Sequence, residues 1–252
     1  AGGRRGAATV YRAMPDGETL GIFNLPGFVL PDILGESVSY DLRKMSWIGR
    51  LEAQNYVLLV AATSDIRSIE DLQQEEEILF LSTGYGSTVL AACQIVANQI
   101  GVMEKNPIFL AGYPGMADSL VGLIRGDGNV ALAPVSSARK YIESGDLRAI
   151  AVSGDVSELE GVATFAELGF PVLSLLNLQR LIAGPPGMGD GLLKTMRDAF
   201  DRAVADPAFR KAAADARLEV RPLNGNAAAE EVETSFSFYE KFRANLGNPN
   251  NF

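Results

Sequence analysis

The sequence predicts an α/β protein, and three observations carry that prediction. Short apolar runs of strand character alternate with amphipathic segments between residues 78 and 153. Glycine, proline and hydroxyl residues stand at the junctions, where turns between strands and helices need them. The chain has 252 residues, of which 47% are hydrophobic and 21% charged, so it can bury the core of one compact domain or of two smaller lobes. We therefore expect strand–helix–strand repeats around mainly parallel sheets.

The elements follow in chain order from apolar periodicity and turn residues. Residues 7–13 predict a helix, and residues 19–24 predict a short strand that ends at the turn Asn24-Leu25-Pro26-Gly27. The β-branched and apolar run 56–60 predicts a buried strand. Beyond it the predicted order is helix 68–77, strand 78–81, helix 87–100, strand 107–113, helix 115–125, strand 129–133, helix 136–144, strand 147–153, strand 173–183, helix 192–216, strand 218–222 and a last helix with Val232, Phe236, Tyr239, Phe242 and Leu246 on one side.

The composition argues against several classes of function. The 31 acidic and 22 basic residues give a net charge of −9, which disfavours nucleic acids and anionic membranes as partners. The sequence has no histidine, which removes Ser-His-Asp and Cys-His dyads and HExxH zinc sites, and we expect neither a metal nor a cofactor. The single cysteine, Cys93, lies in a helical apolar pattern and is expected to be buried. No run approaches the roughly 18 apolar residues of a membrane span, so we expect a soluble protein whose export signal is already absent.

The most informative local pattern is Ser82-Thr83-Gly84-Tyr85-Gly86-Ser87-Thr88, between a predicted strand and a predicted helix. Its glycines let backbone amides approach a ligand, its hydroxyls donate hydrogen bonds, and the helix N-terminus adds roughly half a positive charge. This pattern predicts an anion cradle. A simple strand-to-helix turn with Ser87 as N-cap explains it equally well. The segment lacks the glycine patterns of Walker loops and dinucleotide sites, which disfavours nucleotides.

Two further loops, residues 111–115 and 133–137, also follow predicted strands and open predicted helices. Ligands of open α/β sheets bind beyond the carboxyl ends of the strands, so three such loops in series suggest one site. The candidate contacts in these two loops are Tyr113, Gly115, Pro134 and Ser136. Two alternatives stay open at this point: the Tyr113 ring packs on the rim of the site, and Ser136 and Ser137 only cap a helix.

Six short motifs occur in order along nearly the whole chain. They are Ala1-Gly2-Gly3 before a helix, Pro15-Asp16-Gly17-x-Thr19-Leu20, Tyr40-Asp41, the segment 82–88, Gly112-Tyr113-x-Gly115, and Ser144-Gly145-Asp146-Leu147-Arg148-Ala149-Ile150-Ala151-Val152. Together they resemble the periplasmic solute receptors of tripartite tricarboxylate transporters, the Bug family. Each motif is weak alone, but six in this order and spacing are hard to obtain by chance.

The resemblance implies a type II-like periplasmic binding protein, in which two α/β lobes joined by crossing strands close on a small di- or tricarboxylate or a related organic anion. Residues 56–62 and 178–183 would be the crossings, so that lobe one comprises 1–62 and 178–252 and lobe two comprises 63–177. The implied protein is a periplasmic monomer that delivers its ligand to membrane transporter subunits. The ligand-binding candidates outside the three loops are Asn24, Pro26, Gly27, Asn177 and Arg180.

The sequence departs from the family's pattern at several points. Pro114 stands where relatives commonly carry lysine, Ala133-Pro134 where they often have an acidic or amide residue, and Leu178-Gln179-Arg180 where they tend to have Trp-x-Gly. Family members usually begin earlier, with a strand and a Pro/Gly-rich loop, so we expect the natural polypeptide to extend ahead of Ala1. The identity of the ligand therefore does not transfer from the family.

Arg180 is a candidate on chemical grounds, because a guanidinium grips a carboxylate with two parallel hydrogen bonds. The alternative is an arginine that is solvated or paired with a surface acid. The competing function is an α/β enzyme acting on a small organic anion without histidine chemistry, which would need a Ser-Lys pair that no local motif supplies. A scaffold would show an exposed apolar stripe or heptads, and neither is visible. The sequence thus favours a binding protein.

Overall fold

The structure is a computed structural model that describes residues 3–84, 86–215 and 218–246. The chain divides into two compact units. The first contains residues up to Ala53 together with Leu178–Lys241, and the second contains Gln54–Asn177 and the chain from Phe242 onward. One long strand begins in the first unit and ends in the second, because Ser46–Ala61 is a single strand of 16 residues.

The first unit has an antiparallel sheet core flanked by helices. Its elements are α1 (Arg4–Arg12), β1 (Gly21–Leu25), α2 (Leu30–Ile33), the first half of β2 (Ser46–Ala61), β7 (Asn177–Gly184, of which Asn177 belongs to the second unit), α7 (Asp190–Ala205), α8 (Pro207–Asp215), β8 (Val220–Asn224) and α9 (Gly225–Lys241). Strand β7 lies between β1 and β2, and the pairs β1–β7 and β2–β8 are antiparallel.

Aromatic side chains fill the core of the first unit. Strand β1 alternates between exposed and buried residues, which places Phe23 inside. The Phe23 ring meets Phe28 and Trp47 edge-on, with centroids 5.4 and 5.5 Å apart. A second cluster joins Ile48 of β2 to the apolar stripe of α7. These contacts fix the sheet against its helices.

The second unit alternates strands and helices, as the sequence predicts. Its elements are the second half of β2, α3 (Ile69–Gln74), β3 (Leu79–Thr83), α4 (Thr88–Gln99), β4 (Ile108–Tyr113), α5 (Met116–Arg125), β5 (Val130–Pro134), α6 (Val135–Glu143) and β6 (Leu147–Val152). The sheet order is β2–β5–β3–β4, with β6 also paired to β2. One cluster of its core is aliphatic and includes Val57, Leu59, Leu81 and Ala131, and α4 buries nine of its residues.

The α/β class is confirmed, and the sheets are mixed rather than mainly parallel. Strand β3 pairs in parallel with β4 and β5, as strand–helix–strand repeats require. Strand β2, which crosses between the units, pairs antiparallel with β5, β6 and β8. The antiparallel pairs are thus those of β2, which runs through both units, and the pair β1–β7.

Several element boundaries differ from the predicted ones for local reasons. Helix α1 begins at Arg4 and not at residue 7, since its N-cap Gly3 adopts a left-handed conformation. The predicted helix 192–216 is two helices, because Pro207 cannot continue α7 and Asp206 caps α8 through a hydrogen bond from the Ala208 amide to Asp206 Oδ1 of 2.7 Å. The predicted strand 173–183 is a 3-10 turn, Pro171–Leu175, followed by β7.

The unit boundaries also differ from the predicted lobes. The first boundary follows Ala53 and not residue 62, because the second half of β2 pairs with β5 and β6. The described end of the chain, up to Leu246, belongs with the second unit, because a 3-10 turn at Arg243–Asn245 contacts α4. Residues 1, 2, 85, 216, 217 and 247–252, on which parts of the predictions fall, lie outside the described residues.

Cys93 is fully buried in α4, as predicted. Burial raises the pKa of its thiol to about 12, so this sulfur is an inert core atom. Every helix in the described part of the chain is too short or too polar to cross a bilayer.

We expect Gly49→Ala to lower the free energy of unfolding by about 1 to 3 kcal/mol, because a Cβ there would lie 2.2 Å from Phe200 Cε1 in the core of the first unit. Gly191→Ala is the matched control: a Cβ at this glycine of α7 meets nothing within 4 Å, and alanine favours a helix. Urea unfolding of the two variants checks this. Equal stability would show that the Phe200 contact is not tight.

Candidate functional site

Three helices of the second unit begin at one edge of its sheet. Strands β5, β3 and β4 are neighbours and run parallel, so their carboxyl ends meet at the same edge. Each strand leads directly into a helix, α6, α4 and α5 respectively. We call residues 82–88, 113–116 and 134–137, without Tyr85, the helix-start edge. Each helix N-terminus presents amides that have no acceptor within the helix and carries partial positive charge, so this edge favours anions.

The turn before α4 combines a helix cap with an open glycine surface. Ser87 is the N-cap of α4, with its Oγ accepting a hydrogen bond from the Leu90 amide at 3.1 Å. The same hydroxyl contacts the Thr83 carbonyl at 3.4 Å. A Cβ added at Gly84 or at Gly86 would meet nothing within 4 Å. The N-cap explanation of Ser87 is thus confirmed, and it coexists with room for a ligand in front of the glycines.

The hydroxyl residues on either side of this turn differ in accessibility. Ser82 is fully buried in β3, and its Oγ donates to the neighbouring Thr83 carbonyl at 3.1 Å. This burial gives Ser82 a supporting role and does not fit the expectation that its hydroxyl contacts a ligand. Thr83, which ends β3, and Thr88, which begins α4, are both partly exposed.

Tyr113, at the end of β4, is engaged within the protein. Its hydroxyl donates to Asp127 Oδ2 at 2.8 Å, and Arg125 binds the same oxygen at 2.8 Å. These two hydrogen bonds lower the pKa of Asp127, while partial burial and the hydrogen bond to Asp127 raise the pKa of Tyr113. The ring also covers Gly122, where a Cβ would lie 2.6 Å from the hydroxyl oxygen. These contacts favour the explanation that the Tyr113 ring packs on the rim of the site. Gly115, two residues further on, is the N-cap of α5.

The start of α6 contradicts the capping explanation for Ser136. The N-cap of α6 is Pro134, which offers no side-chain acceptor, so Ser136 lies inside the first turn. Its Oγ donates to Gln54 Oε1 at 2.6 Å. Gln54 is buried at the point where β2 enters the second unit, and the sequence analysis did not single it out. An amide side chain shortly before the predicted buried strand 56–60 was the available signal, because a buried amide needs partners.

Tyr56 is a second residue that the sequence analysis treated only as part of an apolar run. It lies on β2 opposite Pro134, the last residue of β5, and is fully buried. Its hydroxyl has no hydrogen-bond partner among the described residues. Burial raises the pKa of Tyr56 to about 12, against a smaller lowering by the Thr88 side chain. Side chains alternate along a strand, and the neighbouring Val57 and Leu59 pack with α5 and α6, so the Tyr56 side chain lies on the opposite face of β2.

The remaining candidates, except Asn177, lie in the first unit. Asn24 on β1 is exposed and lies opposite Arg180 on β7. Pro26, which follows a cis peptide bond, is buried, and Gly27 is partly exposed beside it. Asn177 is the last residue of the second unit before β7 enters the first. The structure thus brings Asn24 and Arg180 together and places Asn177 in the other unit.

Arg180 forms an ion pair with an acid that the sequence analysis did not consider. Its Nη1 bonds Oε2 of Glu52, whose side chain is only 4% exposed, whereas that of Arg180 is 34% exposed. The partner is therefore a buried acid on β2 and not the surface acid of the alternative. A buried carboxylate needs such compensation, so this pair has a structural role.

A polar network lies next to this pair, between β2, β7 and α9. Gln179 accepts from Arg50 at 3.2 Å and donates to Glu231 at 2.8 Å. The Arg50 Nε also donates to the carbonyl of Arg221 at 3.0 Å. Burial lowers the pKa of Arg50, and the Glu231 charge opposes that shift. This network holds the first unit's part of the crossing strands in register.

Comparison with known proteins decides the family. The sequence profile of TctC, the tripartite tricarboxylate transporter family receptor, matches residues 1–233. The chain belongs to this family. The predicted resemblance is thereby confirmed. A family relative, the UPF0065 protein in the gbd 5' region of Cupriavidus necator, is 24% identical over 253 residues, which cover 96% of this chain and 75% of that protein.

Solved structures confirm the fold that the family membership implies. A TctC solute binding protein from Polaromonas, without ligand, has a TM-score of 0.82 at 19% identity and covers 98% of this chain and 84% of its own. The periplasmic binding protein BugD has a TM-score of 0.77 at 20% identity, with coverages of 97% and 84%. MatC from Rhodopseudomonas palustris with bound malate has a TM-score of 0.77 at 20% identity, with coverages of 96% and 85%. The chain therefore has the fold of periplasmic binding proteins.

The described residues contain no group of three or more Cys, Asp or Glu side chains arranged to hold a metal ion. The polar groups at the helix-start edge are instead amides and hydroxyls. Backbone amides donate hydrogen bonds and hydroxyls can donate them, so both can bind an anion.

Arg180→Met should lower the free energy of unfolding by roughly 1 to 3 kcal/mol, because it removes the ion pair of a carboxylate that is 4% exposed. This expected loss of stability is smaller than that for breaking a fully buried ion pair, because water screens the partly exposed guanidinium. Lys194→Met is the control: this exposed lysine pairs with Asp198 on one face of α7 and should change stability by at most about 0.5 kcal/mol. If chemical denaturation shows equal losses of unfolding free energy in Arg180→Met and Lys194→Met, the Arg180–Glu52 pair has no structural role.

Proposed function

We propose that this chain is a receptor that binds a small organic carboxylate at the helix-start edge of its second unit. The observation that carries the proposal is the convergence of three helix N-termini at the carboxyl ends of β5, β3 and β4. A carboxylate is small, flat and negatively charged, so amides from more than one helix start can bind its two oxygens.

The groups proposed to bind the carboxylate are backbone amides and a few hydroxyls. The open surface at Gly84 and Gly86 lets a ligand approach the backbone, and the partly exposed Thr83 and Thr88 supply hydroxyls. Ser87 contributes mainly by capping α4. Gly115, Pro134 and Ser136 form the other two helix starts, and Tyr113 borders them. Asn24, Pro26, Gly27, Asn177 and Arg180 stay predicted ligand contacts.

Family membership supports the rest of the proposed role. Receptors of this family serve tripartite tricarboxylate transporters, and a structural neighbour, MatC, binds malate. We therefore propose a periplasmic protein that binds a di- or tricarboxylate without converting it and delivers it to membrane transporter subunits. An enzyme acting on the same anion is the competing function, and product formation distinguishes the two.

A thermal-shift assay against malate, succinate, adipate and citrate tests the proposal. A ligand at 100 times its Kd adds about 2.7 kcal/mol, which raises the unfolding temperature of a chain of this size by about 5 to 10 °C. Succinamide, which has the shape of succinate without its charge, is the control ligand and should give no shift. Absence of a shift with every acid, or turnover of any of them, would contradict the proposed receptor.

A pair of substitutions at Ser87 tests the electrostatic part of the proposal. Aspartate and asparagine are both good N-caps and nearly equal in shape, so Ser87→Asp and Ser87→Asn should leave the stability of α4 within about 0.5 kcal/mol of the parent protein. Only Ser87→Asp places a negative charge at the helix-start edge. We expect its affinity for a bound dicarboxylate to be at least about tenfold lower than that of Ser87→Asn, with a smaller difference at high salt. Equal affinities would place the anion elsewhere.

A further inference from the structure

Tyr56 carries a buried polar atom that the fold does not use. The residue is 0% exposed, and its backbone is fully engaged with Ser153: the Tyr56 amide donates to Ser153 Oγ at 2.7 Å, and the Tyr56 carbonyl accepts from the Ser153 amide at 2.8 Å. The phenol hydroxyl, by contrast, lacks a hydrogen-bond partner among the described residues. Leaving such a group unpaired costs free energy, so phenylalanine would fit the core better.

The position of this hydroxyl connects it to the helix-start edge. Tyr56 lies opposite Pro134, where β5 ends and α6 begins, and α4 packs on β5. Side chains alternate along a strand, and Val57 and Leu59 pack in the cluster with α5 and α6, so the Tyr56 side chain lies on the other face of β2. Thr88 and Cys93 of α4 both influence the pKa of the phenol, which agrees with α4 covering that face. Thr88 is the first residue of α4 and is partly exposed. Thr88 therefore has access to the surface and also influences the buried phenol.

We propose that Tyr56 is a positioning residue for anion binding, acting through the Thr88 hydroxyl. In the bound state the Tyr56 O–H donates to Thr88 Oγ1, and the Thr88 O–H donates to the carboxylate. A hydroxyl that accepts one hydrogen bond becomes a better donor for the next, so the chain of two bonds strengthens the contact with the anion. This inference rests on the proposed function and adds the residue that orients one of its ligand donors.

The proposal predicts opposite effects of Tyr56→Phe on stability and on affinity. The ligand-free variant should unfold at the same temperature as the parent protein or higher, because it loses only an unpaired buried hydroxyl. Its affinity for malate, or for whichever of succinate, adipate and citrate the parent protein binds most tightly, should fall about tenfold in isothermal titration calorimetry, as expected for one hydrogen bond. Tyr40→Phe is the contrasting control: the buried Tyr40 hydroxyl donates to the Phe28 carbonyl at 3.2 Å, so its removal should lower the unfolding temperature.

A double-mutant cycle with Thr88 tests the route of the effect. Thr88→Val should also weaken binding about tenfold, and adding Tyr56→Phe to it should weaken binding no further, because the phenol acts through the threonine. Thr88→Ser keeps the hydroxyl and should retain the parent affinity within about threefold.

Each result bears on the inference. Unchanged affinity in Tyr56→Phe, additive losses in the double variant, or a lower unfolding temperature of ligand-free Tyr56→Phe would overturn the positioning role and leave the receptor function standing. A parent protein that binds none of the four acids would overturn both. Loss of binding in Thr88→Ser as large as in Thr88→Val would show that the hydroxyl is not the group involved.

Discussion

The parallel pairing of β3 with β4 and β5 is the constraint on which the proposed site depends. Parallel strands need a helix to return the chain, so each strand end is followed by a helix start, and all the starts fall on one edge. The strand topology therefore determines where the three helix N-termini lie, and the side chains only add to the proposed site. The aliphatic core beneath it, which includes Leu81, Ala131 and Leu120, holds the three strands and their helices in fixed relation.

This topology explains how an acidic chain could bind an anion. The net charge of −9 repels carboxylates at long range, but water and salt screen it beyond about 8 to 10 Å. Partial charges at three helix N-termini act at contact distance and need no lysine or arginine. Arg125, at the end of α5, is already engaged with Asp127. Amides would fix the carboxylate and leave the rest of the ligand to other contacts.

The sequence predicts the elements of the second unit well. There most strands are short apolar segments, and most helices pack an apolar face on the sheet, so the local pattern of apolar residues is enough to locate them. Ser87 as N-cap and Cys93 as a core residue were predictable from local pattern alone. Long-range pairing was not: the single strand Ser46–Ala61 contains Gly49, Arg50, Glu52, Gln54 and Asn55, a polar stretch that no strand pattern suggests. A strand can contain these polar residues because they bind partners that are far away in the sequence: Glu52 pairs with Arg180, and Gln54 accepts a hydrogen bond from Ser136.

The same limit applies to the site. The loops at the strand ends are visible in the sequence, but the use of each hydroxyl depends on its neighbours in space. Ser82 turns inward to the Thr83 carbonyl, Ser87 serves the helix, and Ser136 is held by Gln54. Once these are engaged, the partly exposed Thr83 and Thr88 supply the hydroxyls that can turn to a ligand, and Thr88 also influences the pKa of the buried Tyr56 phenol. Fold stability alone would favour phenylalanine at residue 56, so the tyrosine there is best explained by binding.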